Sequence, residues 1–244
     1  MKPSHFIACA LAVVAVAGCN SEEGDAATNA PVNLTPIAAP KGGDWTEMVT
    51  QTPQGSFLMG NPDARVKLIE YGSMTCPHCA TFDEEGSKAL IDNYVKTGQV
   101  SYEFRNYVRD PFDLAATLIA RCNGAGSFFP LTHPLFESQD SWIAKVQAAP
   151  PEQLEQLQSL PPQQMPTQVA RLAGFQDWAA MRGVPASKSA QCLSNQAEID
   201  RLVQMTADAT SQFPNFQGTP SFVINGELAE QTASWGALEP KLKA

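Results

Sequence analysis

Two cysteines separated by two residues, Cys76-Pro77-His78-Cys79, are the side chains best placed to do chemistry in this chain, because such a pair can pass a disulfide to and from another molecule. The thiolate is the attacking species in that exchange, so reactivity depends on surroundings that favour negative sulfur. The motif follows an apolar run, Val66-Lys67-Leu68-Ile69-Glu70-Tyr71, and a Gly72-Ser73-Met74-Thr75 link, and it opens a helical pattern. A strand running into a helix puts Cys76 at the helix N-terminus, where unpaired N–H groups and the positive end of the dipole stabilise a thiolate. Cys79, one turn later, is in reach of Cys76 and can resolve a mixed disulfide formed there. Two other roles fit the motif. Half of a zinc site would ordinarily need a second ligand pair at short spacing, and the chain holds no other Cys-x-x-Cys and no His-x₃₋₅-His. A purely structural bridge would close too tight a loop to stabilise much.

The elements needed to position these thiols are legible around them. A short strand over 56–59 and an Asn61-Pro62-Asp63 turn precede the strand that leads to Cys76. The helix after it runs through Phe82, Leu90, Ile91 and Tyr94 to a cap at Gly98, and alternation predicts a strand over 99–108. No strand is predicted between 111 and 213, where helices are expected over 114–122, 134–146, 151–160, 168–178 and 186–209. Strand signals return at Ser221-Phe222-Val223-Ile224, Asn225-Gly226 is a hairpin turn into 227–229, and a helix over 232–242 closes the pattern.

At 244 residues the chain suffices for one large domain or a core plus an insertion, with no need of stapling. A net charge of −9 without any Lys/Arg cluster argues against nucleic acid or an anionic membrane surface as partner. At the start, Lys2 and an apolar stretch over 6–17 are too short for a permanent span and form a secretory signal over 1–18. Its end, Val16-Ala17-Gly18-Cys19, resembles a bacterial lipobox, in which Cys19 becomes the lipid-modified residue. The alternative is an ordinary cleavage site with a free Cys19. Residues 19–54, rich in Ala, Pro and Gly, are expected to form a tether. Export places the protein where disulfides persist, in the bacterial cell envelope, facing the periplasm.

Strand, CxxC helix, strand, helical insertion, Thr-Pro strand, Asn-Gly hairpin and final helix form the order of a thioredoxin fold with an inserted helical domain. The chain resembles the DsbA-like family of bacterial thiol:disulfide oxidoreductases. The residues that carry the resemblance are Cys76-Pro77-His78-Cys79, the run Gly218-Thr219-Pro220-Ser221-Phe222-Val223-Ile224-Asn225-Gly226 and, more weakly, Phe136-Glu137-Ser138-Gln139. The expected divisions are 55–110 for the N-terminal half of an α/β thioredoxin fold, 111–213 for the helical insertion and 214–244 for the C-terminal half.

The resemblance implies that Cys76 is an exposed nucleophile, Cys79 the resolving thiol and Pro77-His78 the dipeptide that sets redox poise. His78 would donate a hydrogen bond or positive charge to the Cys76 thiolate. Thr219-Pro220 would be a cis-proline loop whose backbone pairs with an extended substrate chain. Glu70, six residues before Cys76, occupies the place of a buried acid that could take the proton of Cys79, though a strand-end Glu reaching water fits the pattern equally. Arg105 and Arg109 could pair with such an acid or reach solvent. Cys122 and Cys192, both in the insertion, would form a second disulfide worth about 4 kcal/mol of loop closure, the alternatives being two free thiols or a metal pair. His133 is given no chemistry. No cofactor and no metal are expected. Partners would be reduced, folding polypeptides and a quinone-linked membrane oxidase, with the protein a monomer. An isomerase or reductase of the same fold and a copper-chaperone module are the other readings.

Overall fold

A computed structural model describes residues 35–243. Within them, strands β1 (Val49–Gln51) and β2 (Phe57–Met59) lead to β3 (Val66–Gly72), which ends just before the CxxC. The helical stretch after Cys76 spans 77–95 and comprises α1 (Pro77–Phe82) and α2 (Lys88–Leu90), each followed by a wider π-type turn, Asp83–Ser87 and Ile91–Val95. Strand β4 (Val100–Asn106) follows. Then come α3 (Pro111–Arg121), α4 (Ala125–Glu137), α5 (Gln139–Gln147), α6 (Pro151–Gln158), α7 (Met165–Ala173), α8 (Phe175–Ala180), α9 (Ala186–Leu193) and α10 (Gln196–Gln212). The hairpin β5 (Ser221–Ile224) and β6 (Glu227–Leu228) and the helix α11 (Trp235–Leu242) complete the described residues.

The strands form one sheet in the order β1-β2-β4-β3-β5-β6. Strand β3 is central, parallel to β4 with Val66 opposite Val100 and Gly72 opposite Asn106, and antiparallel to β5 with Glu70 opposite Phe222. That order, a βαβ start and a ββα end with helices interposed, is a thioredoxin fold carrying a helical insertion. Leu68 and Glu70 point to one face by the period-two rule. There Phe128 of α4 stacks on Phe57 at 4.2 Å and lies 5.6 Å from Phe104, while Phe82 of α1 meets Phe222 at 4.7 Å. Tyr71 faces the other way, against Phe213 and Phe216 beyond α10. With both faces covered, β3 holds the link to Cys76 between two packed layers.

Several helices are cut where the sequence pattern ran on. The expected helix over 186–209 is broken into α9 and α10 because the Asn195 side chain caps a new start by accepting from the Glu198 N–H at 3.3 Å. That over 168–178 is cut at Gly174, whose φ of 77° suits a left-handed turn. Instead of starting at Pro134, α4 starts at Ala125 and carries Pro130 and Pro134 inside it, since Phe128, Phe129 and Leu131 are buried and their packing outweighs the two missing N–H groups. Order also begins earlier than residue 55. Trp45 is buried, donates its indole N–H to Ile37 O at 2.8 Å and precedes β1, which pairs with β2. The signal segment and Cys19 lie outside the described residues. Among those described, no helix is long and apolar enough to cross a membrane.

Candidate active site

The site begins with a four-residue link that has no repeating structure of its own. Cys76 N–H donates to Ser73 O at 3.1 Å, which tightens the turn from β3 into α1. Cys76 then stands at the N-cap in extended conformation (φ −85°, ψ 117°), and Pro77 takes the first helical position, where its lack of an N–H costs nothing. The Cys76 carbonyl accepts from Cys79 N at 3.1 Å and Ala80 N at 3.2 Å, so the sulfur sits where the sequence analysis put it, at a helix start.

Both thiols are free, and both are buried, Cys76 at 2% exposure and Cys79 at 0%. The implied exposed nucleophile is therefore corrected: the Cys76 sulfur is turned under the loop at Thr219, whose carbonyl accepts from the thiol at 3.0 Å, and the surface is made by Pro77 and His78. Ionisation separates the two cysteines. The Cys76 thiol is lowered to about 5, first by the hydrogen bond that Cys79 donates to it; burial works in the opposite direction, and the Thr219 hydroxyl and the backbone N–H groups of Cys79 and His78 assist. The thiol donates to the Thr219 carbonyl, whereas the thiolate accepts from the Thr219 hydroxyl. That hydroxyl has no partner in the reduced, protonated site. What His78 brings to the sulfur is its main-chain N–H, the side chain being exposed. Burial pushes Cys79 well above the ordinary thiol value, followed by its hydrogen bond to Cys76 and the charge of Glu70.

Glu70 is buried at 1% exposure and does not reach water. Burial raises its carboxyl to about 8, although Tyr102, donating its hydroxyl at 2.5 Å, pulls the other way. Gly72 leaves room for this carboxylate: a Cβ there would meet the Phe104 ring at 2.4 Å and Glu70 Oε1 at 3.1 Å. Arg105 does not pair with Glu70. Its Nε donates to Glu103 Oε1 at 2.6 Å and its Nη1 to the Tyr71 hydroxyl at 3.1 Å, because Arg105 and Glu70 stand on opposite faces of the sheet. Arg109 contributes its backbone N–H, to Asp113 at 3.0 Å. His133 Nδ1 is hydrogen-bonded to Asp83 Oδ1 at 2.5 Å.

Tyr102 and Asp113 were not singled out from the sequence. Tyr102 carries a weak signal, an aromatic on the strand next to Glu70. Asp113 carries one only as an acid in the first turn of α3, which is ordinarily explained by the helix dipole. Its carboxylate is fully buried and raised to about 7 by that burial, against hydrogen bonds from Ser73, Arg109 and Met74.

The Thr219–Pro220 peptide bond is cis. Beside it, a groove of about 320 Å³ is lined by Gln217 to Ser221 and by Leu228 to Ala233. Cys122 and Cys192 are joined in a disulfide with Cα atoms 5.5 Å apart, linking the end of α3 to α9. Among the described residues no group of three or more His, Cys, Asp or Glu side chains is placed to hold a metal ion. A thiolate at a helix start, beside a thiol that keeps its proton and a buried acid, is an arrangement able to exchange disulfides.

A family model described as Thioredoxin matches residues 52–244. The chain belongs to the thioredoxin family. Among solved members, a protein-disulfide isomerase from Novosphingobium aromaticivorans is 36% identical, with a TM-score of 0.72 over 76% of this chain and 94% of that one. Wolbachia pipientis alpha-DsbA1, 21% identical with a TM-score of 0.59, shares the DsbA-like fold over 81% of this chain and 94% of its own. A Rickettsia bellii relative named as a protein-disulfide oxidoreductase is 28% identical over 178 residues, 72% of this chain. The chain spans about 60% of that relative's length.

Proposed function

We propose that this thioredoxin-family protein is an exported thiol:disulfide oxidoreductase that introduces disulfides into folding polypeptides through Cys76 and Cys79. The observation that carries the reading is the divergence of the two thiols, Cys76 lowered to about 5 and Cys79 pushed far upward. In the oxidised enzyme, a substrate thiolate attacks the Cys76 sulfur, a mixed disulfide forms and Cys79 leaves, taking a proton that protonated Glu70 can supply. The substrate's second thiolate then attacks its own sulfur in the mixed disulfide and expels Cys76 as a stabilised thiolate. Two electrons pass from the substrate dithiol to the Cys76–Cys79 disulfide, leaving the free thiols seen here. The easier Cys76 is to expel, the stronger the oxidant. Thr219 and Pro220 border the groove in which an extended substrate would pair by its backbone.

The lipobox-like Val16-Ala17-Gly18-Cys19 supports a lipid-anchored protein facing the periplasm, and the DsbA-like resemblance supports re-oxidation by a quinone-linked membrane oxidase; the protein is proposed to act as a monomer. Cys122–Cys192 is assigned a structural role. The test is a reduction potential from equilibration with glutathione buffers, combined with assays on a reduced and a scrambled substrate. Rapid oxidation of the first with little repair of the second supports the oxidase. A potential near about −270 mV, that of thioredoxin, overturns it in favour of a reductase. A second reading, disulfide isomerase, draws on the name of the Novosphingobium relative, and efficient repair of the scrambled substrate would select it.

A further inference from the structure

Beyond their bonds to one another, to the start of α1 and to Thr219, residues 73–76 are held by groups from the helical insertion. Asp113, in the first turn of α3, accepts at Oδ1 from Met74 N–H at 2.8 Å and at Oδ2 from the Ser73 hydroxyl at 2.6 Å. Asp110, the N-cap of the same helix, accepts from the Thr75 hydroxyl at 2.7 Å. From the other side, Gln139 at the start of α5 donates its amide to Met74 O at 2.8 Å and to Cys76 O at 3.1 Å. Both backbone groups of Met74 thus end on the insertion, as does the carbonyl that opens α1. Asp113 and Gln139 are buried, so neither can exchange its partners for water.

We propose that Asp113 and Gln139 are positioning residues through which the insertion sets the reactivity of Cys76, an inference that rests on the oxidoreductase reading. Thiolate stabilisation at a helix start comes from N–H groups whose effect fades within one turn. The Cys76 sulfur must therefore be kept against the His78 and Cys79 N–H groups and the Thr219 hydroxyl. The sheet fixes one end of the link at Gly72 and the helix fixes the other, and the turn between them, closed by the Cys76 N–H to Ser73 O bond, is held in place by the carboxylate and the amide. Gln139→Met leaves the buried Met74 C=O without its donor, and Asp113→Asn sets an NH2 against either Met74 N–H or Arg109 N–H, both of which need an acceptor, so the loop relaxes toward some other arrangement. Such a movement carries the sulfur off its donors and weakens the thiolate. On this view the insertion tunes the chemistry of a pair of thiols to which it contributes no reacting atom.

The experiment measures thiolate absorbance against pH and the glutathione equilibrium constant for the wild type, Asp113→Asn, Gln139→Met and the control Trp142→Phe. Trp142 is buried in the same insertion, against Phe175, and touches none of residues 73–76 through a hydrogen bond. Asp113→Asn and Gln139→Met should each lower the thiolate-to-thiol ratio of Cys76 about tenfold, moving the potential about 30 mV toward the reducing side. Trp142→Phe should lower thermal stability and leave both readouts alone. Folded variants of Asp113 and Gln139 that keep the wild-type titration and potential overturn the proposal. An equal shift in Trp142→Phe overturns it too, by showing that any loss of packing suffices. Should Asp113→Asn not fold, Gln139→Met decides alone. A reductase-like potential in the wild type would overturn the oxidase reading separately, because the variant shifts are measured relative to the wild type.

Discussion

The protein carries two cysteine pairs whose fates differ although both lie on helices. Cys76 and Cys79 sit one turn apart on one helix start, reduced, with ionisations driven in opposite directions. Cys122 and Cys192 are 70 residues apart, close a bridge between two helices and no longer titrate. Helix geometry explains part of the difference: Cys122 is the C-cap of α3, where the dipole offers its negative end and disfavours a thiolate, whereas Cys76 is an N-cap. Reactivity follows from which end of a helix a sulfur occupies and what donors surround it, and not from the presence of a pair.

Breaking the first pair should have the largest effect. Cys79→Ala should accumulate mixed disulfides with substrate at Cys76, while Cys76→Ala should accumulate almost none, as read by non-reducing electrophoresis after acid quenching; equal trapping would mean that the sulfurs are equivalent. Breaking the second pair should act on stability. Replacing Cys122 and Cys192 together by Ser should cost up to about 4 kcal/mol in denaturant unfolding, by loop-closure entropy, and leave Cys76 reactivity within twofold. A loss of Cys76 reactivity without a loss of stability would move the bridge into the redox machinery.

A smaller effect sharpens the contrast by pH. With its folded value near 5, below the about 8.5 of an unfolded thiol, Cys76 makes the unfolded reduced chain bind more protons than the folded one across that window. The reduced form should therefore gain stability relative to the oxidised form as pH rises from about 5 to 8.5, by about 1 kcal/mol per pH unit, and lose it on acidification. Glu70, raised to about 8, acts oppositely, destabilising the folded state as pH rises from the ordinary carboxyl value, but it does so in both redox forms and largely cancels in the difference. A pH-independent difference would contradict a depressed Cys76. The smallest expected change is for Tyr102→Phe. Loss of the hydroxyl that lowers Glu70 should shift the pH profile of mixed-disulfide turnover upward by about one unit, with the trapping behaviour of the cysteines unchanged.

The sequence exposed those parts of the site that rest on local rules. An apolar run, a small-residue link and a helical period suffice to place Cys76 at a helix start, and Asn-Gly flanked by apolar residues suffices for the β5–β6 hairpin. Contacts between distant residues were much less visible. Asp113 meets Met74 from 39 residues away with nothing around it to mark it as more than a first-turn acid, and Gln139 meets it from 65, noticed only as the end of Phe136-Glu137-Ser138-Gln139 with no role attached. Glu70 was ambiguous because alternation tells which face a side chain takes and not whether that face is covered at the strand's end. The helix breaks at Gly174 and Asn195 were hidden for another reason: apolar spacing on either side of each happens to continue in phase, so the period alone runs through the cap. Strand β1 is three residues long and mostly polar, too short to show a period.

The segment around Trp45 gives the molecule a direction. Ile37 N–H is bonded to Thr97 O at 2.7 Å and Trp45 lies against Gly98, at the end of the sheet where β3 and β4 begin. The thiols stand past the other end of β3, about 20 Å away along seven residues of strand. Ile37 and the reacting sulfur thus stand at opposite ends of the central strand β3. The first described residues therefore take no part in walling the thiols, a task left to the Thr219 loop and to Gln139 of the insertion.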